Sequence, residues 1–486
     1  MDYMIRFMQI HESFRQPETE ALATLAGIPL EWVFYSHDSP FAIVRFPSTT
    51  DPATAARTLI TRSILASAIY ELWGTGLDYP SLHQDVRQRS APYWPLHSQH
   101  SFRFEIDSFQ GSHTSSQHTA IIESFAYMAF SGPIRMKNPS AQFVVFEDFL
   151  LDAPLPHQLH LGRLVASGNR KATLNKYTLK KRRYIATTSM DSELALVTAN
   201  LALAAPGKLA YDPFMGTGSF PLACAHFGAG VFGSDLDGRS VRGKGGRDVR
   251  SNFTQYATSP LYLGGFVADL TNTPLRSSRC LDAIVCDPPY GVREGLKVLG
   301  SHKPELQAEV FLEDGRLAHL AETYLPPKKA YSFLRMLGDV LEFGTGALVE
   351  GGRLCMWMPV AGATAEEEPK GVGGKERRGG GGEGGQEGGA GKEEEYAIPH
   401  HPALELVSEC TQHFNKWSRR LLTYRRLANS CIDENEMLAY QAARLILQGE
   451  NGVGTADDLN SFRRKYFRGF LDPSMPRQHE KLPHTY

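Results

Sequence analysis

Asp287-Pro288-Pro289-Tyr290-Gly291 follows the apolar run LDAIVC. Two consecutive prolines fix an extended turn with few free amides, which directs the Asp287 carboxylate and the Pro288 carbonyl toward one point. That geometry suits an NH2 group. Both acceptors take its hydrogens and draw the nitrogen lone pair out of conjugation with a ring, toward an electrophilic methyl carbon. Tyr290 offers a face on which a base could stack. The bland reading of the same residues is a proline-stiffened loop around a buried aromatic.

Upstream, Asp212-Pro213-Phe214-Met215-Gly216-Thr217-Gly218-Ser219 follows another apolar run and opens a helix. Gly216 and Gly218 permit a tight turn and close approach of the backbone to a ligand. Such a turn is shared by dinucleotide sites and ordinary strand-to-helix turns, and the lack of a following G-K-[ST] excludes a P-loop. Asp235, with Asp237 close behind, ends the next apolar run, where an acid can accept both hydroxyl protons of a ribose. Asp269 could accept from an adenine amine, or could be a turn residue or a cap.

These acids need a common frame, and the runs LAYDP, VFGSD, GFVAD and DAIVCD supply it. Four short strands ending in aspartate, separated by Gly-rich turns and helices, describe an open parallel sheet whose ligands gather at the carboxyl ends. A helix is expected over SMDSELALVTANLAL, capped by Ser189 or Asp191. Residues 304–325 form an insertion, a helix is expected near Lys328 to Phe343, and RLCMWMPV, LELVSEC and RRLLTYRR read as strands. Between the first two of these runs lies a Gly/Glu-rich stretch, 361–395, whose composition cannot support a core and reads as a disordered insertion within the domain. The glycines of RGKGGRD, Arg242 to Asp248, weaken the helix expected after the second strand.

Before this sheet, the first 165 residues alternate strand candidates such as FAIVRF and QFVVFEDFLL with helical stretches such as TAARTLITRSILASAIYELW, an α+β pattern. The linker 166–188 crowds Arg170, Lys171, Lys176, Lys180, Lys181, Arg182 and Arg183 with few acids. It reads as a solvated connector or as a phosphate-contacting surface. At 486 residues and a net charge of −2, the chain is long enough for several cores and does not as a whole advertise a polyanionic partner. Six cysteines without a C-x-x-C pair read as reduced core residues. With no signal-like start and no run of about 18 apolar residues, the expected location is the cytoplasm or nucleus, without a membrane anchor.

Together, D-P-F-M-G-T-G-S, S-D-L-D and D-P-P-Y-G resemble the Rossmann-like methyltransferases that modify exocyclic amines of nucleic-acid bases. The T-S-M-D of Thr188 to Asp191 after a basic stretch, and the long α+β region before it, resemble more specifically the catalytic subunit of the eukaryotic tRNA guanosine-N2 methyltransferases acting on position ten. The resemblance spans roughly residues 1 to 430 and is strongest from Lys180 to Gly291 and in WSRRLLTYRR.

It implies a THUMP domain that grips tRNA within 1–165, and a Rossmann-like domain over 189–431 with a mainly parallel seven-stranded sheet. Residues 432–486 are then a helical extension. It implies S-adenosyl-L-methionine as cofactor, with Asp212, Pro213, Gly216 and Gly218 at its methionine part, Asp235 and Asp237 at its ribose and Asp269 at its adenine. Asp287 to Tyr290 would hold guanine, with no metal, because the sulfonium already makes the methyl electrophilic. The resemblance favours phosphate contact for the basic stretch. It also implies a small zinc-binding activator partner, for which LYLGGFVADL is the candidate sheet edge. SFRRKYFRGF, near the end, interleaves bases and aromatics as an RNA-contacting surface or an amphipathic helix would. Two alternatives stay open: adenine-N6 or glutamine methylation by the same chemistry, and an RNA-binding scaffold that binds no cofactor.

Overall fold

A computed structural model describes residues 1–276, 278–292, 295–301, 303, 308–321, 324, 326–361, 397–414, 417–449, 459–460 and 462–463. The chain forms two compact units, Met1–Gly233 with Asp237–Gly265, and Ser234–Leu236 with the residues from Phe266 onward.

The first unit opens with strands β1 (Tyr3–Phe7), β2 (Glu31–Phe34), β3 (Phe41–Arg45), β4 (Ala66–Gly76), β5 (Phe102–Phe109), β6 (Ala141–Asp148) and β7 (Gln158–Ser167). They form one sheet in the order β2-β3-β1-β4-β7-β6-β5, antiparallel throughout except for the β5/β6 pair. Apolar residues alternate across it: Ile5, Val44 and Ile69 enter one core cluster, and Trp73, Phe143 and Leu161 another.

One stretch departs from the helix expected of it. Of TAARTLITRSILASAIYELW, only the first half is helical, within Pro52–Arg62, and the second half is strand β4. Ser63 leaves the helix in extended conformation. The buried Glu18 carboxylate then accepts from Ser63 Oγ (2.8 Å) and from the amides of Ile64 (3.0 Å) and Leu65 (2.9 Å), which a continuing helix would have turned to its own carbonyls. Beyond them β1 and β7 pair with both edges of β4. Tertiary partners thus override a local pattern that is apolar at either period.

The later strands are β8 (Leu209–Asp212), β9 (Gly230–Asp235), β10 (Tyr262–Val267), β11 (Leu281–Cys286), β12 (Lys297–Leu299), β13 (Lys328–Ala330), β14 (Leu348–Ala361), β15 (Leu404–His413) and β16 (Trp417–Arg426). All but β12 and β13, which make a small antiparallel ribbon, belong to a second seven-stranded sheet. Within the first unit β8 runs parallel to β9. Within the second, β11 runs parallel to β14, while β16 and then β15 add antiparallel. β10 lies at a sheet edge with Leu263 and Val267 exposed.

Several local expectations meet the structure directly. Asp191 caps the helix Ser192–Leu201, accepting from the amides of Glu193 and Leu194. The helix after β9 stops at Arg242, because Gly243 turns at φ +63, and a second begins at Val249 under an Asp248 capping box. The glycines divide one helix into two. The helix expected from Lys328 begins at Phe333, after β13, with Ser332 as its cap. The C-terminal helix is Glu434–Gly449.

Among the described residues of 304–325 there is one short 3-10 turn, Ala318–Leu320. The expected Gly/Glu-rich insertion lies outside the described residues from 362 on. Of the cysteines, Cys224, Cys286, Cys355 and Cys410 are buried, whereas Cys280 and Cys431 are exposed rather than in a core. No described helix is long and apolar enough to cross a membrane.

Candidate functional site

In the second unit, β11 delivers Asp287 at its carboxyl end, and the two prolines carry the chain to Tyr290. The Tyr290 hydroxyl donates to Asp287 Oδ1 at 2.5 Å, and Arg419 Nη1 lies 3.6 Å from Asp287 Oδ2. Burial pushes the Asp287 carboxyl up from its ordinary range, while the Arg419 charge and the Tyr290 hydrogen bond pull it back. The same burial, with the carboxylate beside it, drives the Tyr290 hydroxyl well above its usual value, so its proton stays on oxygen and points into the acceptor.

Arg419 itself is placed by three strands. It sits on β16 opposite Pro359 of β14 and Gln412 of β15. Its guanidinium carbon lies 4.6 Å from the centre of the Trp357 ring, and its Nε donates to Gln412 Oε1 at 2.7 Å. The Tyr290 ring meets Trp417 edge-on at 6.0 Å and Phe462 at 6.4 Å. Within WSRRLLTYRR nothing local sets Arg419 apart, because only the antiparallel register brings it to Asp287. The alternation of β16, which turns Arg419 and Leu421 to the same face, is the one signal that could have pointed to it.

In the first unit, β8 ends in Asp212, which is buried and accepts from the Phe214 amide at 2.9 Å. Gly216 and Gly218 hold φ +52 and +82, the left-handed region that favours glycine. The space over Gly216 is open: an added Cβ would meet nothing closer than Phe214 O at 4.0 Å. At Gly218 a Cβ would come 2.8 Å from Val249, so this glycine serves packing instead.

Side chains from outside the motif pin the turn. Thr217 Oγ1 bonds Ser189 Oγ at 2.7 Å, Asn252 Nδ2 donates to Thr217 O at 3.3 Å, and Arg182 Nη1 donates to Ser219 Oγ at 2.8 Å. Asn252 went unnoticed in the sequence, where a lone helical asparagine carries no signal.

Asp235 and Asp269 are brought to neighbouring positions in the second unit, with the Ala268 amide donating to Asp235 O at 3.2 Å. Asp269, however, is committed to its own loop: Oδ1 accepts from the amide and hydroxyl of Thr271 and Oδ2 from the Leu299 amide. Its turn-forming role is the one the geometry displays, and an adenine amine would find only the remaining lone pairs. Asp237, in the first unit, caps the helix Gly238–Arg242 and pairs with Arg239. Its carboxylate likewise already has work.

The basic stretch divides. Lys171, Lys176, Lys180, Lys181 and Arg183 are exposed. Arg170 is tied to Glu193 at 2.6 Å, and Arg182 is buried against the Gly-turn helix. Arg182 therefore does not share the phosphate-facing surface expected of it, since its guanidinium is turned inward. In SFRRKYFRGF only Phe462 and Arg463 are described, and Phe462 is buried, neither a surface-helix nor an RNA-facing residue.

Residues 1–170 match the Tmrp11 THUMP N-terminal domain family, and residues 180–303 match the RMKL-like methyltransferase domain family. The chain is 37% identical to the tRNA (guanine(10)-N(2))-methyltransferase of Saccharomyces cerevisiae, over 96% of this chain and 99% of that one. The protein of the same name from Schizosaccharomyces pombe is 35% identical, over 96% of each. The Homo sapiens tRNA (guanine(10)-N(2))-methyltransferase TRMT11 is 31% identical, over 96% of this chain and 95% of that one.

Proposed function

The chain belongs to the tRNA (guanine(10)-N(2))-methyltransferase family, and on that premise we propose that Asp287, Pro288, Pro289 and Tyr290 hold the N2 amine of a tRNA guanosine for methylation. The enzyme is an S-adenosyl-L-methionine-dependent tRNA (guanine-N2) methyltransferase with a THUMP-containing N-terminal region. The observation that carries the role of the loop is the Asp287 carboxylate at a strand end, partly buried, supported by Arg419 and capped by the hydroxyl of a stackable ring.

Bound S-adenosyl-L-methionine supplies an electrophilic methyl on a sulfonium with a neutral thioether as leaving group. The residues suited to hold it are Asp212, Pro213, Gly216 and Gly218, and the open space over the left-handed Gly216 fits a ligand laid against the backbone. Asp235 is the ribose acceptor in this reading, with Asp237 and Asp269 shaping the loops beside it.

When guanine enters, its N2 hydrogens replace the Tyr290 hydroxyl at Asp287, with the Pro288 carbonyl as second acceptor. The Tyr290 ring then stacks on the base. Withdrawing the lone pair from the ring makes nitrogen nucleophilic, and as the N–C bond forms Asp287 is placed to receive the proton the amine sheds. Alignment and desolvation are the protein's contribution. Lys171, Lys176, Lys180, Lys181 and Arg183 supply phosphate contacts.

The small zinc-binding activator belongs to the same proposal: β10 presents an open sheet edge with exposed Leu263 and Val267 for strand addition. Full activity of the chain purified alone would remove it. The cytoplasm is the expected compartment, where thiols such as exposed Cys280 and Cys431 stay reduced.

The experiment is methyl transfer to unmodified tRNA with the activator present, followed by nucleoside analysis. N2-methylguanosine is the expected product. Methylated adenosine would overturn the substrate, and no binding of S-adenosyl-L-methionine on titration would leave a scaffold.

A further inference from the structure

The loop that carries Tyr290 has an unusual deficit. Pro288 and Pro289 have no amide hydrogen, so the turn cannot be pinned through its own donors. The carbonyls that follow are instead held from far along the chain. Asn460 Nδ2 donates to Tyr290 O at 2.8 Å, and Arg463 Nη1 donates to Gly291 O at 2.6 Å and to Val292 O at 2.8 Å. Asn460 is itself oriented, because its Oδ1 accepts from the Arg463 amide at 3.0 Å. Asn460 and Phe462 are buried, and Phe462 meets both the Tyr290 ring and, at 6.1 Å, the Trp417 ring. Leu459 fastens the segment to the scaffold, its carbonyl accepting from the Phe333 amide at 3.2 Å where the helix Phe333–Ala347 begins.

We propose that residues 459, 460, 462 and 463 form a hook that positions the substrate loop, with Asn460 and Arg463 fixing three consecutive carbonyls and Phe462 fixing the Tyr290 ring. Gly291 is the residue that makes this approach possible: at φ +74, an added Cβ would lie 2.6 Å from Asn460 Nδ2 and 3.2 Å from Leu296 Cγ. Three hydrogen bonds from two side chains onto three successive carbonyls hold the loop backbone in place, so that guanine can displace the Tyr290 hydroxyl proton from Asp287 without the loop moving. Arg463 is then a positioning residue whose guanidinium faces protein carbonyls rather than an RNA backbone. The proposal rests on the reading of Asp287 to Tyr290 as the holder of the acceptor amine.

The test uses the full chain with its activator and unmodified tRNA, comparing Asn460→Ala, Arg463→Ala and Arg463→Lys with Asp287→Asn. Misplacing a reacting group by about 1 Å costs on the order of 100-fold, so kcat is expected to fall roughly 10- to 100-fold in the two alanine variants. KM for tRNA should stay within about twofold, because no phosphate contact is lost. Arg463→Lys should recover part of kcat, as should guanidinium ion added to Arg463→Ala, which also shows that the variant is folded. Amide hydrogen exchange at Gly291 and Val292 should quicken in Arg463→Ala.

Wild-type kcat in both alanine variants, with Asp287→Asn inactive, overturns the hook alone. A raised KM with unchanged kcat also overturns it and returns Arg463 to the RNA. Full activity in Asp287→Asn overturns the reading of the loop, and the hook's catalytic role with it.

Discussion

Tyr290 donates its hydroxyl to Asp287 across two prolines that separate them in sequence, at 2.5 Å. On the proposed reading, the acceptor for guanine is therefore already occupied by the residue on which guanine would stack. Exchange of one donor for another costs little, because the partly buried carboxylate is never left without a hydrogen bond.

The two partners should accordingly differ in how much they matter. Asp287→Asn turns an acceptor into a group that also donates, and kcat/KM should fall by on the order of 100- to 1,000-fold, as when a single stabilising group is removed from an active site. Tyr290→Phe keeps the stacking face and loses only the resting hydrogen bond, and should stay within about tenfold of the parent. Tyr290→Ala should approach the Asp287 variant. Steady-state kinetics on unmodified tRNA decide it: equal losses for Tyr290→Phe and Tyr290→Ala would mean that the hydroxyl, not the ring, carries the role.

Arg419 sets the pH range over which Asp287 can accept. Burial raises the Asp287 carboxyl, and the Arg419 charge is the main influence lowering it. Only the ionised form offers both oxygens to an amine, so activity should fall as pH drops through the carboxyl's value. Removing the cation raises that value further, so Arg419→Met should move the acidic limb of the kcat profile to higher pH. Activity lost on the acidic side should be recovered in part as the pH is raised. Arg419→Lys should shift it less. A limb at the parental position in Arg419→Met would dissociate the pair.

What could be read from the chain without its fold was whatever is contiguous. Asp287 to Tyr290 and the Gly216/Gly218 turn are local motifs whose chemistry depends on neighbours in sequence, and β8, β9, β10 and β11 announced themselves as short apolar runs. Arg419 and Asn460 were invisible because register and long-range hydrogen bonds, not spacing, bring them to the loop. The half of TAARTLITRSILASAIYELW that became β4 was apolar enough for either structure, and the deciding group, Glu18, lies on a different helix. Arg182 was counted with its exposed neighbours because charge alone does not tell which side of a linker faces inward.

That division of the linker makes the proposed RNA contacts testable. Lys180, Lys181 and Arg183 are exposed, whereas Arg182 is buried against Ser219. Charge reversal of the three exposed cations should weaken tRNA binding and flatten its salt dependence, each lost phosphate contact removing about 0.7–0.9 from the slope of log K against log salt. Arg182→Lys should instead leave that slope unchanged and disturb the Gly turn, seen as weaker binding of S-adenosyl-L-methionine. Filter binding between 50 and 200 mM salt, a range over which several phosphate contacts change affinity by orders of magnitude, gives the slope. An unchanged slope in the triple variant would return the stretch to a plain connector.

Acid sensitivity of the first unit should come from a buried histidine. His160 on β7 is 2% exposed, and burial, helped by the nearby charges of Arg89 and His157, pushes its pKa down to about 4. In the unfolded chain the same ring titrates near 6.5. Between those values the unfolded state binds the proton and the folded state does not, so stability is fully present above about pH 6.5 and is lost as pH falls toward 4. At pH 5 the loss amounts to about 2 kcal/mol for this one residue.

His160→Leu keeps a side chain of similar bulk beside Phe41 and removes the proton site. Its urea midpoint should therefore fall less than the parent's between pH 7 and pH 5, even if its stability at pH 7 differs. The slope of midpoint against pH is the quantity to compare, because a packing defect shifts the midpoint at every pH alike. Parallel slopes for parent and variant would assign the acid sensitivity to another group, with His226, whose pKa burial also pushes down to about 4, the next to replace.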